Sequence, residues 1–250
     1  MIASYKTEID KYFKESTRIQ TYLKIERMVN DELICQKSLS VNRLSEKLCI
    51  LENSSNEVFD KYVNQIHSKE EEIKHDFNAF VFVTEKKCGK DGKWLHYGLT
   101  SSDIIDTTNA VLFTCAKNKI ADASDLFTKC IEERMYEEMG NHTEILARTH
   151  GRVAEKTYLS NILKHWWSSF DESLRNVQNS TLPGKLSGAV GDNKYISKFI
   201  EDTVLCRLNL VSEDIGQIVP RENYAIMLND LAIMGSVLER IATLIRLYQQ

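Results

Sequence analysis

The apolar positions of this chain follow a helical period nearly throughout. Between residues 6 and 88 they predict several short to medium helices. The first covers about Glu15 to Gln36, with Tyr22, Ile25, Met28 and Val29 on one face. A second runs over roughly 40–50, with Ser40 placed as its N-cap. A third spans about 55–74 and a fourth about 75–87. Cys88-Gly-Lys-Asp-Gly-Lys93 then reads as a loop. Three longer helices follow. One, over about 105–139, carries Leu112, Ala116, Ile120, Ala123, Phe127, Cys130 and Ile131 as a stripe and ends at Gly140, a natural C-cap. The next, over about 153–178, places Tyr158, Ile162, Trp166, Phe170 and Leu174 four residues apart. A Gly-rich stretch, Pro183-Gly-Lys-Leu-Ser-Gly-Ala-Val-Gly191, and a short helix around 195–207 lead to the third, which begins near Pro220.

That last helix is the most informative. Met227, Leu231, Met234, Leu238, Ile241, Ile245 and Tyr248 form a heptad seam, and Ile226, Ile233, Val237, Leu244 and Leu247 form a second stripe. A helix apolar on two faces needs several neighbours, more than two other long helices supply. Partner helices, from further polypeptide or from other chains, are therefore expected.

Composition narrows the class. The 250 residues are 42% hydrophobic and 27% charged, ordinary values for a folded globular chain. Two prolines, Pro183 and Pro220, and ten glycines leave long helices uninterrupted. The net charge of −4 is spread without a basic face, which argues against nucleic acid as a partner. Six scattered cysteines contain no CxxC pair and sit mostly among apolar helical neighbours, so they read as small buried hydrophobes rather than as metal ligands or disulfides. Neither a signal peptide nor a membrane span is legible, and a reduced, cytoplasmic setting is expected.

Three segments combine small, polar and ionisable residues beyond what packing asks for: His75-Asp76, Trp94-Leu-His-Tyr-Gly-Leu-Thr-Ser-Ser-Asp103 and Ala147-Arg-Thr-His-Gly-Arg152. Each has a structural alternative taken singly. His75 and Asp76 could be a surface pair, Thr100 to Asp103 a helix cap, and Thr149-His150-Gly151 a turn.

Together and in this order they resemble the adenylosuccinate lyase family of the fumarase and argininosuccinate lyase superfamily. His75-Asp76-Phe77-Asn78-Ala79-Phe80 is similar to the family's His-Asp-Val and Ala-Phe elements. His96 to Asp103 matches its His-Tyr/Phe-Gly-Leu-Thr-Ser-x-Asp segment, and Ala147 to Gly151 its Gly-Arg-Thr-His-Gly. Gly184 to Gly191 matches its Gly-Lys-x-Ser/Asn-Gly-Ala-Val-Gly, and Gln217 a Gln before the last long helix. The resemblance implies an all-α fold, with an N-terminal helical domain over 1–104 and part of a central long-helix bundle over 105–250. It implies β-elimination of fumarate from adenylosuccinate and from the succinyl-carboxamide purine intermediate, in purine biosynthesis. It implies neither metal nor cofactor, and a homotetramer whose active sites are shared between subunits.

Carried over residue by residue, the resemblance makes His150 the general acid. His75 and Asp76 contact substrate and support the acid, and Tyr5 lies against the nucleotide. Thr100 and Ser101 cradle a carboxylate, Thr149 binds substrate, and Gln217 donates to the succinyl group. Hydroxyls beside the free N–H groups of a helix start suit such an anion, and a histidine titrating near neutrality suits proton transfer. The Gly-rich stretch reads either as part of the site or as a tight turn for close packing. The superfamily's catalytic Ser lies in a Ser-Ser-x-Met-Pro-x-Lys-x-Asn-Pro signature, and no segment of these 250 residues matches it. Ser4 and Lys74 stand where the family often has Arg, Ala147 replaces a Gly, Lys156 a Pro, and Val153 a His or Pro. Two alternatives accompany the lyase reading: a non-catalytic paralogue that partners a complete lyase, and a sibling lyase for another succinyl substrate.

Overall fold

A computed structural model describes residues 6–249. Among them lie eight α-helices: α1 (Glu15–Cys35), α2 (Leu44–Glu52), α3 (Asn56–Ile73), α4 (Asp76–Cys88), α5 (Ser101–Asn141), α6 (Leu159–Asn179), α7 (Lys198–Arg207) and α8 (Glu222–Tyr248). Two short sheets interrupt them, an antiparallel hairpin of β1 (Glu144–Thr149) and β2 (Arg152–Tyr158), and a parallel pair of β3 (Pro183–Gly184) and β4 (Val211–Ser212). The expected all-α class holds. None of the described helices is long and apolar enough to cross a membrane. The chain divides into two compact units, the first made of Met1–Ala116 with Thr181–Arg221, the second of Lys117–Ser180 with Glu222–Gln250. Helix α5 contributes residues to both.

In the first unit, the face expected on α1 is the core face: Tyr22, Ile25, Met28 and Val29 are all buried. The Tyr22 ring meets Phe77 and Phe80 of α4 edge-on, with centroids 5.5 and 5.3 Å away. Helix α2 begins four residues later than its apolar pattern suggested, and Ser40 does not cap it. Asn42 instead accepts from the Leu44 N–H at 3.0 Å and is itself fastened to buried Asn30 of α1. A tertiary bond thus sets the start that local preference would have put at Ser40. Residues Gly89–Trp94 form a 3-10 turn rather than an open loop. The Lys47 ammonium holds it, donating at 2.6 Å to both the Cys88 carbonyl and the Asp91 carboxylate.

The second unit packs α6 and α8 on the later turns of α5. Ile131, Met135, Trp166, Phe170, Leu174, Met234 and Ile241 form its core. Phe127 and Phe170 meet edge-on at 4.9 Å. Several expectations change here. Helix α5 does not stop at Gly140; it runs to Asn141, and His142 takes the left-handed conformation, φ +49°, that ends it. The helix expected from 153 begins at Leu159, because Val153, Thr157 and Tyr158 suit a strand and pair with β1. Tyr158 is therefore not on the α6 stripe, although Trp166, Phe170 and Leu174 are. On α5, Ala123 and Cys130 are exposed, and Ala121 and Ser124 are buried in their place. Of the six cysteines only Cys88 is buried, so the reading of most of them as buried hydrophobes fails.

Helix α8 buries one line of its seam. Met227, Met234 and Ile241, seven residues apart, are covered. Leu238, Ile245 and Tyr248 remain exposed, as do Ile226, Ile233 and Leu247 of the second stripe. Leu231 of the seam and Val237 and Leu244 of the second stripe are partly buried against the core, so each face is covered in part and exposed in part.

Candidate functional site

The residues singled out from sequence lie at the starts of α4 and α5 and at Gln217 in the first unit, and on the hairpin turn in the second. In the first unit the organising feature is the start of α5. Asp103 caps it: its carboxylate accepts the Thr100 N–H at 2.8 Å, while its own N–H donates to the Thr100 main-chain carbonyl at 2.9 Å. This leaves the Thr100 and Ser101 side chains half-buried at a helix N-terminus, where partial positive charge and unpaired N–H groups favour an anion.

Asp103 is fully buried, and its carboxylate does more than cap. It accepts from the Lys185 ammonium, which is equally buried, and from the Gly188 N–H at 3.2 Å. Lys185 also donates to the Gly188 carbonyl at 2.6 Å. Burial pushes the Asp103 carboxyl above its usual range, against the pull of the Lys185 ammonium and the backbone N–H donors of Thr100 and Gly188. One turn along α5, the Thr107 hydroxyl donates to the Lys185 carbonyl at 2.8 Å and receives the Lys185 N–H at 2.9 Å. Asp106 receives the Val219 N–H at 3.0 Å and the Arg221 guanidinium at 2.8 Å. Three residues of one helix therefore fix both the Gly-rich stretch and the segment that follows Gln217.

Much of the Gly-rich stretch is closely packed. Residues 182–188 are buried. A Cβ on Gly184 would collide with Leu205, and one on Gly191, where φ is +76°, would collide with the Ile215 carbonyl. The preceding motif is held from another side. Buried Glu26 of α1 takes the His96 backbone N–H at 2.9 Å on one oxygen and the His96 Nδ1 at 2.8 Å on the other. This clamp secures His96 in a left-handed conformation, φ +59°.

The remaining sequence candidates are more open. His75 is the N-cap of α4, its Nδ1 accepting from the Asn78 N–H at 3.3 Å. That bond leaves Nε2 as the proton-bearing nitrogen of the neutral ring. The Asp76 carboxylate lies 3.6 Å from His75 Nδ1 and accepts the Phe77 N–H at 2.7 Å. Both side chains are exposed, as is Gln217. In the second unit, Thr149 pairs with Arg152 across the hairpin, and His150 and Gly151 form its two-residue turn with φ of +52° and +74°. Positive φ at both central positions is the turn that matches the twist of a hairpin. Arg148, Thr149 and His150 all face solvent there. Tyr5 and Ser4 lie outside the described residues.

The structure thus joins Thr100 and Ser101 at one helix start, pairs His75 with Asp76, and puts Thr149 beside His150 on a hairpin tip. Sequence reasoning missed the supports: Glu26, Asp106, Thr107 and Lys185. Lys185 carried a usable signal, a cation inside a run of small residues. Glu26 carried none, since it stands between Lys24 and Arg27 in an ordinary amphipathic helix.

Long helices around a polar, buried helix start make an all-helical fold. The chain belongs to the lyase family, whose sequence profile matches residues 4–250. It is 30% identical over 253 residues to the adenylosuccinate lyase of Bacillus subtilis (strain 168), covering 98% of this chain and 56% of that protein. The adenylosuccinate lyase of Aquifex aeolicus (strain VF5) is 36% identical over 194 residues, 76% of this chain and 44% of its own length. The chain spans about half the length of these curated relatives. Among solved structures, a fumarate lyase from Mesorhizobium sp. BNC1 superposes with a TM-score of 0.81 over 97% of this chain and 57% of its own, at 17% identity, and shares the fold.

The buried pair gives a direct test. Lys185→Met leaves the Asp103 carboxylate buried without its cation and should cost about 3–5 kcal/mol of unfolding free energy. The double variant Asp103→Leu/Lys185→Met should recover part of that loss in urea melts. Equal stability of the single variant and the parent would remove the pair from its supporting role.

Proposed function

We propose that this chain carries the first part of an adenylosuccinate lyase-type active site, which eliminates fumarate from adenylosuccinate and from the succinyl-carboxamide purine intermediate. The observation that carries the reading is the start of α5. There, Thr100 and Ser101 stand half-buried at a helix N-terminus anchored by the buried Asp103–Lys185 pair. Such a place suits a carboxylate, and the elimination places growing negative charge on one. The relatives named above are adenylosuccinate lyases, which gives the leaving group its proposed chemistry.

In this reading His150 protonates the departing nitrogen as the general acid. Its exposure on a two-residue turn leaves the ring free to meet substrate. His75 and Asp76 contact the substrate and support the acid, with His75 Nε2 holding the available proton. Thr149 and Gln217 donate to the succinyl carboxylates, and Tyr5 lies against the nucleotide. The base is a Ser supplied by the superfamily's signature loop, which these 250 residues do not contain. The family's two domains are taken to divide at residue 104. The reaction calls for no cofactor, and the setting is the cytoplasm.

The exposed parts of both α8 faces support a homo-oligomer, a tetramer in this reading, whose neighbouring copies cover Ile233, Leu238 and Ile245 and complete shared sites. Sedimentation of the 250-residue chain at micromolar concentration should show self-association, and Leu238→Glu should shift it towards monomer. A soluble monomer unaffected by that substitution would contradict the oligomer.

In a version carrying the signature loop, His150→Ala should lower kcat by about 10²- to 10⁴-fold with little change in KM, because the leaving nitrogen needs its proton chiefly in the transition state. Thermal melting on the same preparation should be nearly unchanged, since His150 is exposed. A turnover close to the parent's would remove His150 from the mechanism.

A further inference from the structure

Helices α3 and α4 form an antiparallel hairpin, turned at Lys74 in the left-handed conformation, φ +57°. Between them runs a surface groove of about 640 Å³ lined by Gln65, Lys69 and Glu72 of α3 and by Phe82, Lys86 and Lys87 of α4. The α3 residues recur at helical spacing and so share one face. The groove has the size usual for small-molecule sites, about 300–1,000 Å³. None of these six residues belongs to the candidate lyase site.

Its chemistry is uneven. Three ammonium groups face one carboxylate. Lys69 is paired with Glu72 at 2.7 Å and lies over the Phe82 ring, 4.2 Å from its centroid. Lys87 stands 5.6 Å from the centroid of the buried Tyr62 ring. Neither Lys86 nor Lys87 pairs with a carboxylate among the described residues. Phe82, on the same wall, is 49% exposed, high for a large apolar ring. Two adjacent unneutralised cations and a third that already holds an anionic oxygen make a local excess of positive charge beside a half-exposed aromatic ring, in a chain whose net charge is −4. That overall charge repels extended polyanions such as nucleic acid, so the excess suits a compact multivalent anion.

We propose that the α3–α4 groove is a binding site for a diphosphate group, held by Lys69, Lys86 and Lys87. The diphosphate belongs either to free pyrophosphate or to a nucleoside diphosphate whose base rests on Phe82. The lysines act as point charges on phosphate oxygens, and the Gln65 amide adds a neutral donor. The site stands independently of the lyase reading.

Calorimetric titration of the chain with pyrophosphate, ADP and adenosine, in about 50 mM salt to limit screening, tests it. Pyrophosphate and ADP should bind with dissociation constants below about 1 mM, and adenosine should not. Lys86→Glu, an exposed substitution whose fold circular dichroism checks, should weaken both phosphates by about tenfold or more. If the ligand is a nucleoside diphosphate, ADP binds more tightly than pyrophosphate and Phe82→Ala abolishes the difference. If it is free diphosphate, the two bind alike and Phe82→Ala changes neither. Failure of both phosphates to bind would overturn the proposal. So would affinities unchanged in Lys86→Glu, which would place the binding elsewhere on the chain, the candidate lyase site included.

Discussion

The buried ion pair between Asp103 and Lys185 is the interaction on which the first unit's candidate site depends. A carboxylate without solvent is costly, and a lone buried ammonium equally so; each is tolerable because the other is there with backbone partners beside it. The geometry that satisfies them is narrow. It requires the first turn of α5 to begin at Thr100 and Gly188 to take a positive φ beneath it. It also requires the stretch from Pro183 to Gly188 to run buried past Thr107. Two segments distant in sequence are fixed by one helix start, and the hydroxyls of Thr100 and Ser101 are held as a consequence.

The second unit follows a different logic. Its core is apolar, with edge-on aromatic packing between α5 and α6, and its functional candidates are carried outward on a hairpin that buries almost nothing. A hairpin tip needs only its own turn geometry, which His150 and Gly151 supply. The residue proposed to move a proton is thus placed by backbone conformation, whereas the residues proposed to hold the carboxylate are placed by buried charge.

How much of this was legible in the sequence differs with the kind of force involved. Burial against a core leaves a period, so α1, α3, α4 and α8 were readable close to their observed limits. The hairpin was not, because β2 is exposed along nearly its whole length and has no alternation to read, and Val153 to Tyr158 joined smoothly to a helical pattern. The α2 start turned on a bond between Asn42 and Asn30, twelve residues apart, which no local preference encodes. The candidate site showed a similar division. Resemblance to a known family picked out Thr100, Ser101, His75 and His150, but the groups that hold the first of these in place had no pattern of their own. Asp103 was read as a cap, and the structure adds a second duty, as half of a buried pair.

The central claim is that the helix start fixed by this pair is where a substrate carboxylate sits. Amide chemical shifts of the isotopically labelled chain during a fumarate titration test it most directly. The account predicts that the shifts concentrate on the N–H groups of Thr100, Ser101 and their neighbours, and that they vanish in the Lys185→Met variant under conditions where it remains folded. Shifts confined to other parts of the chain, or persisting unchanged in that variant, would contradict it.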